Sequence, residues 1–128
     1  MENYNNDFAE KFRARTKHFV LEVIKLYRLL PRSVEAQIIG KQWLRCSTSV
    51  GANYRAACRA RSQNEFSSKL SIVIEEVDES LFWMELLIES QIMEKEKLII
   101  VMNEATEILK VVSTARKSIS EKKNLLIH

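Results

Sequence analysis

The sequence predicts an all-α chain, an antiparallel up-and-down four-helix bundle, and three observations carry that prediction. Gly occurs only twice and Pro once in 128 residues, far too few turn-formers for a β-rich domain. Apolar residues make up 46% of the chain, enough for one core in one domain. Those apolar residues recur at steps of three and four, the period of a helix with one buried face.

The first helix is expected from about Asp7, a good N-cap, to Leu30. Phe8, Phe12, Phe19, Val23, Leu26, Tyr27 and Leu30 mark its inner face. Pro31 ends it, because the residue before a proline is pushed out of the α region. The second starts after Ser33 and runs to about Arg61, with Ile39, Trp43, Cys46, Val50, Tyr54 and Ala57 facing inward. Gly40 and Gly51 interrupt it, each costing about 1 kcal/mol against Ala. Gly51 stands among Ser47, Ala52, Ala56 and Ala60, which points to close approach of another helix.

Ser62-Gln63-Asn64-Glu65 is a capping-box pattern opening the third helix. Its core face reads Phe66, Leu70, Val73, Val77, Leu81, Met84 and Ile88. The fourth helix is expected from about Lys95 to Ser118, with Leu98, Val101, Met102, Ala105, Ile108, Leu109, Val112 and Ala115 inward. The expected domain is 7–119, flanked by a flexible stretch 1–6 and a frayed tail 120–128, where Leu125, Leu126 and Ile127 could dock. Short connections make neighbouring helices antiparallel.

Little supports an enzyme or a cofactor. His18 and His128 cannot build a multi-histidine site. The di-iron bundle signature would need Glu where Arg15 and Leu125 stand. Gly40 and Gly51 make no phosphate loop, and no CxxC, GxSxG or HExxH occurs. A helix-turn-helix bending at Gly40 fails because the apolar face continues through Gly40 in phase. Cys46 and Cys58 are twelve residues apart on one helix, about 18 Å, beyond disulfide reach, so both should be buried free thiols. No apolar run approaches the roughly 18 residues of a membrane span. The opening residues do not read as a signal peptide. A cytoplasmic protein with no membrane partner and no small-molecule substrate is the simplest expectation.

Charge is uneven. Residues 1–69 carry 13 Lys/Arg against 6 Asp/Glu, and residues 70–128 carry 7 against 11. Lys41, Arg45, Thr48, Ala52, Arg55 and Arg59 step 4, 3, 4, 3, 4 and fall within a third of the helix circumference. No acid occurs between Ala36 and Asn64. With Arg61, Lys41, Arg45, Arg55 and Arg59 are the candidate nucleic-acid-binding residues; a solvated face, or pairing with acids of this or another subunit, also fits them. From Leu70 to Met93 there is no Lys or Arg. The face behind the third helix's core stripe holds Ile72, Glu75, Glu79, Phe82, Trp83 and Leu86, an unusual amount of apolar surface for a soluble monomer. These six are the candidate oligomer interface.

Two of these segments also carry a family resemblance. SVGANYRAACRARS at 49–62 and EFSSKLSIVIEEVDESLFWMELL at 65–87 strongly resemble the bacterial four helix bundle protein family, related to the 23S ribosomal-RNA intervening-sequence proteins. The most specific elements are Ala52-Asn53-Tyr54-Arg55, Arg59-Ala60-Arg61-Ser62, Phe66, Lys69-Leu70, Glu75-Glu76, Asp78-Glu79-Ser80 and Trp83. Many relatives have Ala-Glu-Gly where this chain reads Arg55-Ala56-Ala57. The resemblance implies a left-handed bundle assembled as a ring-like homopentamer, with no catalytic residues and no cofactor. It also implies a link to RNA, since some members are encoded inside insertions in 23S rRNA genes, and a more distant bundle binds nucleic acid and a reverse transcriptase. The expected role is an oligomeric binding module for RNA or a nucleoprotein, using basic residues of helices 1 and 2. The alternative is a protein-only scaffold whose charges serve its own assembly.

Overall fold

A computed structural model describes residues 6–127, with side chains described through Lys122. Four helices follow one another: α1 (Asn6–Tyr27), α2 (Val34–Cys58), α3 (Gln63–Glu89) and α4 (Lys95–Ile127). Each packs on its sequence neighbour, and α1 closes the ring of contacts on α4, which is the four-helix bundle the sequence predicts. The expected stretch 1–6 lies outside the described residues except for Asn6, the first residue of α1.

The buried positions keep a stricter order than the apolar pattern suggested. They are Ala9, Phe12, Thr16, Phe19 and Val23 on α1, and Ala36, Gly40, Trp43, Ser47, Val50, Tyr54 and Ala57 on α2, with Cys46 beside them. On α3 they are Phe66, Leu70, Val73, Val77, Ser80, Met84 and Leu87. On α4 they include Leu98, Val101, Ala105, Ile108 and Val112. Within each set the steps alternate three and four, an average of 3.5 residues, which is the repeat of left-handed supercoiled packing. The α3 face therefore stays in register through Ser80 and Leu87, while Leu81 and Ile88 sit half-buried at its flank. Ser80 is tolerated inside because its hydroxyl bonds that of Ser47 across the α2–α3 contact at 2.8 Å, so neither buried group is orphaned.

Both glycines of α2 mark where α1, or the turn that follows it, presses in. A Cβ on Gly51 would stand 3.0 Å from Val20 Cγ2, and one on Gly40 would overlap Leu30 Cδ1. Close helix approach explains Gly51 as expected and explains Gly40 as well.

The caps show how the chain turns. Ser33 Oγ accepts from Ala36 N–H at 3.3 Å, and Ser62 Oγ from Glu65 N–H at 3.1 Å. The Glu65 carboxylate reaches back to the Arg61 N–H, 3.2 Å, one residue earlier than a standard capping box. Helix α2 ends at Cys58, so Arg61 lies in the turn and not on the helix. Helix α4 extends nine residues beyond its expected end at Ser118; the side chains of Leu125, Leu126 and Ile127 lie outside the described ones.

Helix α3 stops in a Schellman motif. Ile92 N–H bonds Leu87 C=O, Gln91 N–H bonds Ile88 C=O, and Gln91 takes φ of 64°. That left-handed position is where Gly is normally favoured. Gln91→Gly should therefore stabilise the fold by about 0.5–1 kcal/mol, since relief of the side-chain penalty outweighs the extra freedom of the unfolded chain. Urea denaturation should show a higher midpoint; a lower one would refute this account of the turn.

Candidate functional site

The basic stripe of α2 divides between two neighbours. Arg45 turns toward α3, where it meets Glu79 at 2.9 Å and Glu76 at 3.4 Å. Glu79 also accepts from the Trp83 indole N–H at 2.9 Å. That hydrogen bond, with Arg45 adding to it and partial burial opposing, holds the Glu79 carboxyl below its ordinary range. Arg45 is half in solvent, so this pair contributes little stability, at most about 1 kcal/mol. Its consequence is local: Arg45 is committed inside its own chain, and Trp83 is fixed by Glu79.

Arg55 and Arg59 turn the other way. Together with Arg13 and Lys17 of α1 they line an open groove of about 580 Å³ between α1 and α2. Gly51, Ala52 and Ala14 are among its small residues, and Glu10 is its single acid. None of the four cations makes an ion pair among the described residues. Local structure explains the arrangement. Residues four apart share a helix face, so Arg13/Lys17 and Arg55/Arg59 form two facing pairs. Gly51 lets α1 and α2 approach closely, which brings the pairs to opposite walls of one groove.

Of the candidate nucleic-acid residues, then, Arg55 and Arg59 share the groove. Lys41 is exposed and outside it, Arg61 is exposed in the α2–α3 turn, and Arg45 is taken up by α3. Arg13 and Lys17 were not singled out from the sequence. Their spacing and the positive balance of residues 1–69 were the available signal, but the α1 pattern does not say which of its cations will face α2.

The candidate interface residues lie on the outer and α2-facing sides of α3. Phe82 is 51% exposed, and its ring meets Trp83 edge-on at a centroid distance of 4.9 Å. Glu75 is exposed, while Ile72, Trp83, Leu86 and Glu79 are half-buried. Across the bundle, Arg15 holds Glu104 through two 2.7 Å bonds and ties α1 to α4. Beside that tie runs a second groove of about 460 Å³, floored by Phe19, Leu26, Leu29, Ile100 and Val101.

The cysteines are free. Cys46 is buried, and burial, with Glu79 and Glu76 nearby, pushes its thiol up to about 12. Cys58 is only half-buried, less than expected, and burial raises it too. Burial therefore disfavours the thiolate of both. Among the described residues no cluster of three or more His, Cys, Asp or Glu could hold a metal ion. No helix among them is long and apolar enough to cross a membrane.

Fold and site define the class: a small helical bundle with a groove of four cations and one acid, and an acidic, aromatic-bearing flank. The chain belongs to the 23S rRNA-intervening sequence protein family, whose model matches residues 11–114. It is also similar to a protein of unknown function from the S23 ribosomal protein family of Bacteroides thetaiotaomicron VPI-5482, known from a 1.70 Å crystal structure. The two are 33% identical with a TM-score of 0.77, covering 82% of this chain and 97% of that one. No curated protein matches the chain. Neither family name indicates an enzymatic activity.

Proposed function

We propose that the chain is a non-enzymatic, homo-oligomeric binding module that engages RNA or a nucleoprotein through cations of α1 and α2. The observation that carries this is the groove in which Arg13, Lys17, Arg55 and Arg59 converge with one acid, Glu10, and no ion pair among them. Like charges gathered on a folded surface repel, and a polyanion relieves that repulsion while releasing its condensed counterions. In the cytoplasm, a ring-like homopentamer of the kind the family resemblance implies would repeat the groove around its circumference. The test is RNA binding titrated with salt. Four groove cations per chain predict that log K falls with log salt at a slope of roughly −3 to −4 per engaged groove. Absence of RNA affinity at low salt would retire this reading.

One observation favours the alternative, a protein-only scaffold. Phe82 stands exposed on the stretch of α3 from Leu70 to Glu89, which carries acids and no Lys or Arg, a surface suited to a contact with another subunit. Both readings need that contact for assembly. Trp83→Ala should then shift the oligomer toward smaller species while helicity persists, since buried aromatic anchors are often worth about 2 kcal/mol or more. Light scattering beside circular dichroism measures this; a wild type that is monomeric at tens of micromolar would overturn the interface.

A further inference from the structure

We infer that the α1/α2 groove receives the sugar–phosphate backbone of a double helix rather than a single strand. This rests on the nucleic-acid reading above and adds the ligand's form. Sites for single strands pair a basic track with aromatic side chains on which bases stack, typically worth about 1–3 kcal/mol per base. Among the described residues no aromatic ring lines this groove. The aromatic residue nearest in sequence to the groove's α2 wall, Tyr54, is 1% exposed and packs edge-on against Phe12 at 4.9 Å. It cannot turn outward without leaving the core.

Neutral groups that read base edges are equally scarce. Thr48 borders the groove, but its hydroxyl donates to the Arg45 carbonyl at 2.9 Å. The amide of neighbouring Asn53 donates to the Ser49 carbonyl and hydroxyl at 3.0 and 2.8 Å. What remains is two pairs of cations on facing helix walls, plus the carboxylate of Glu10. Such a site contacts phosphates and positions a backbone without reading its sequence.

Rigidity favours the duplex further. The cations stand on packed helices, and a duplex offers phosphates at fixed positions, whereas a single strand must be ordered to match. A duplex also releases more counterion per neutralised phosphate, about 0.9 against 0.7. Over four phosphates at about 0.1 M salt, that difference alone corresponds to roughly sixfold tighter binding.

The experiment uses the full chain and fluorescence anisotropy at about 0.1 M salt. The probes are an RNA duplex of about 16 base pairs, the DNA duplex of the same sequence, and an unstructured single-stranded RNA of equal length. A duplex should bind roughly fivefold tighter or more than the single strand, and scrambling its sequence should change affinity by no more than about twofold. The tighter of the two duplexes identifies the source of the backbone. Arg13→Glu/Lys17→Glu should abolish duplex binding, and Lys17→Gln should weaken it with no change in fold. Lys110→Glu, on α4 outside the groove and paired with Glu107, should leave it intact. A single strand that binds as tightly as the duplexes would overturn this inference and leave RNA binding standing. Duplex binding that survives loss of Arg13 and Lys17 would overturn the groove assignment. If no probe binds, the parent reading falls as well.

Discussion

Trp43→Ala should cost the fold about 3–5 kcal/mol, the usual loss when a large buried aromatic is truncated and its cavity only partly collapses. Trp43 is wholly enclosed and heads the fully buried side chains by volume. It lies one turn from Gly40, against which Tyr27 and Leu30 pack, and it sits in the shared core cluster of all four helices. A domain of this size is typically stable by only about 5–15 kcal/mol, so the variant should unfold at a much lower urea concentration. Trp43→Phe should cost far less than the area lost would suggest. The indole N–H has no acceptor among the described residues, and an unpartnered buried donor costs about 1–3 kcal/mol. Phenylalanine removes that donor along with part of the ring. Urea denaturation of both variants, at one fixed protein concentration so that any assembly contributes equally, decides the point. An Ala variant within about 1 kcal/mol of wild type would place Trp43 outside the core, contrary to its burial.

The sequence made the bundle legible because its helices are long, its breakers few and its caps conventional. Ser33 and Ser62 marked their boundaries through local chemistry that tertiary packing did not alter, whereas α1 ends at Tyr27 and tightens into turns before reaching the expected Leu30. The core was legible only where it was apolar. Ser47, Ser80, Gly40 and Thr16 occupy inward positions of the 3.5-residue repeat, but none looks like a core residue. Leu81 and Ile88 drew the predicted α3 face sideways for the same reason. A buried serine becomes visible only with its partner, and Ser47 and Ser80 are 33 residues apart.

The candidate site was half legible. Periodicity collected Lys41, Arg45, Arg55 and Arg59 on one arc of α2. An arc a third of a turn wide borders both neighbouring helices, and long side chains lean to either side. Helix α3 offered Glu76 and Glu79 to Arg45, while the α1 wall offered Arg13 and Lys17, which repel Arg55 and Arg59. The sequence listed the charges; only the packing order of the helices divided them into a paired set and an unpaired one.

That division sets the outcome of reversing Arg55 and Arg59 together. Arg55→Glu/Arg59→Glu turns one wall of the groove acidic and leaves Arg13 and Lys17 facing it. Within the chain the change should be tolerated, because both side chains are exposed and the new carboxylates meet two cations across the groove. Far-UV circular dichroism should stay that of the bundle. RNA binding should fall by about 100-fold or more, since two phosphate contacts are lost and two repulsive charges take their place. Loss of two engaged cations should also flatten the salt dependence by roughly two units of slope. The scaffold reading expects something else. If acids of a neighbouring subunit's α3 fill this groove, the same change places like charges together in a buried contact and leaves those acids without partners, commonly a cost of several kcal/mol. The oligomer should then dissociate. Light scattering and salt-titrated RNA binding on the one variant therefore separate the cases. An intact oligomer that no longer binds RNA supports the open groove. Dissociation, beside a wild type that never bound RNA, assigns Arg55 and Arg59 to assembly.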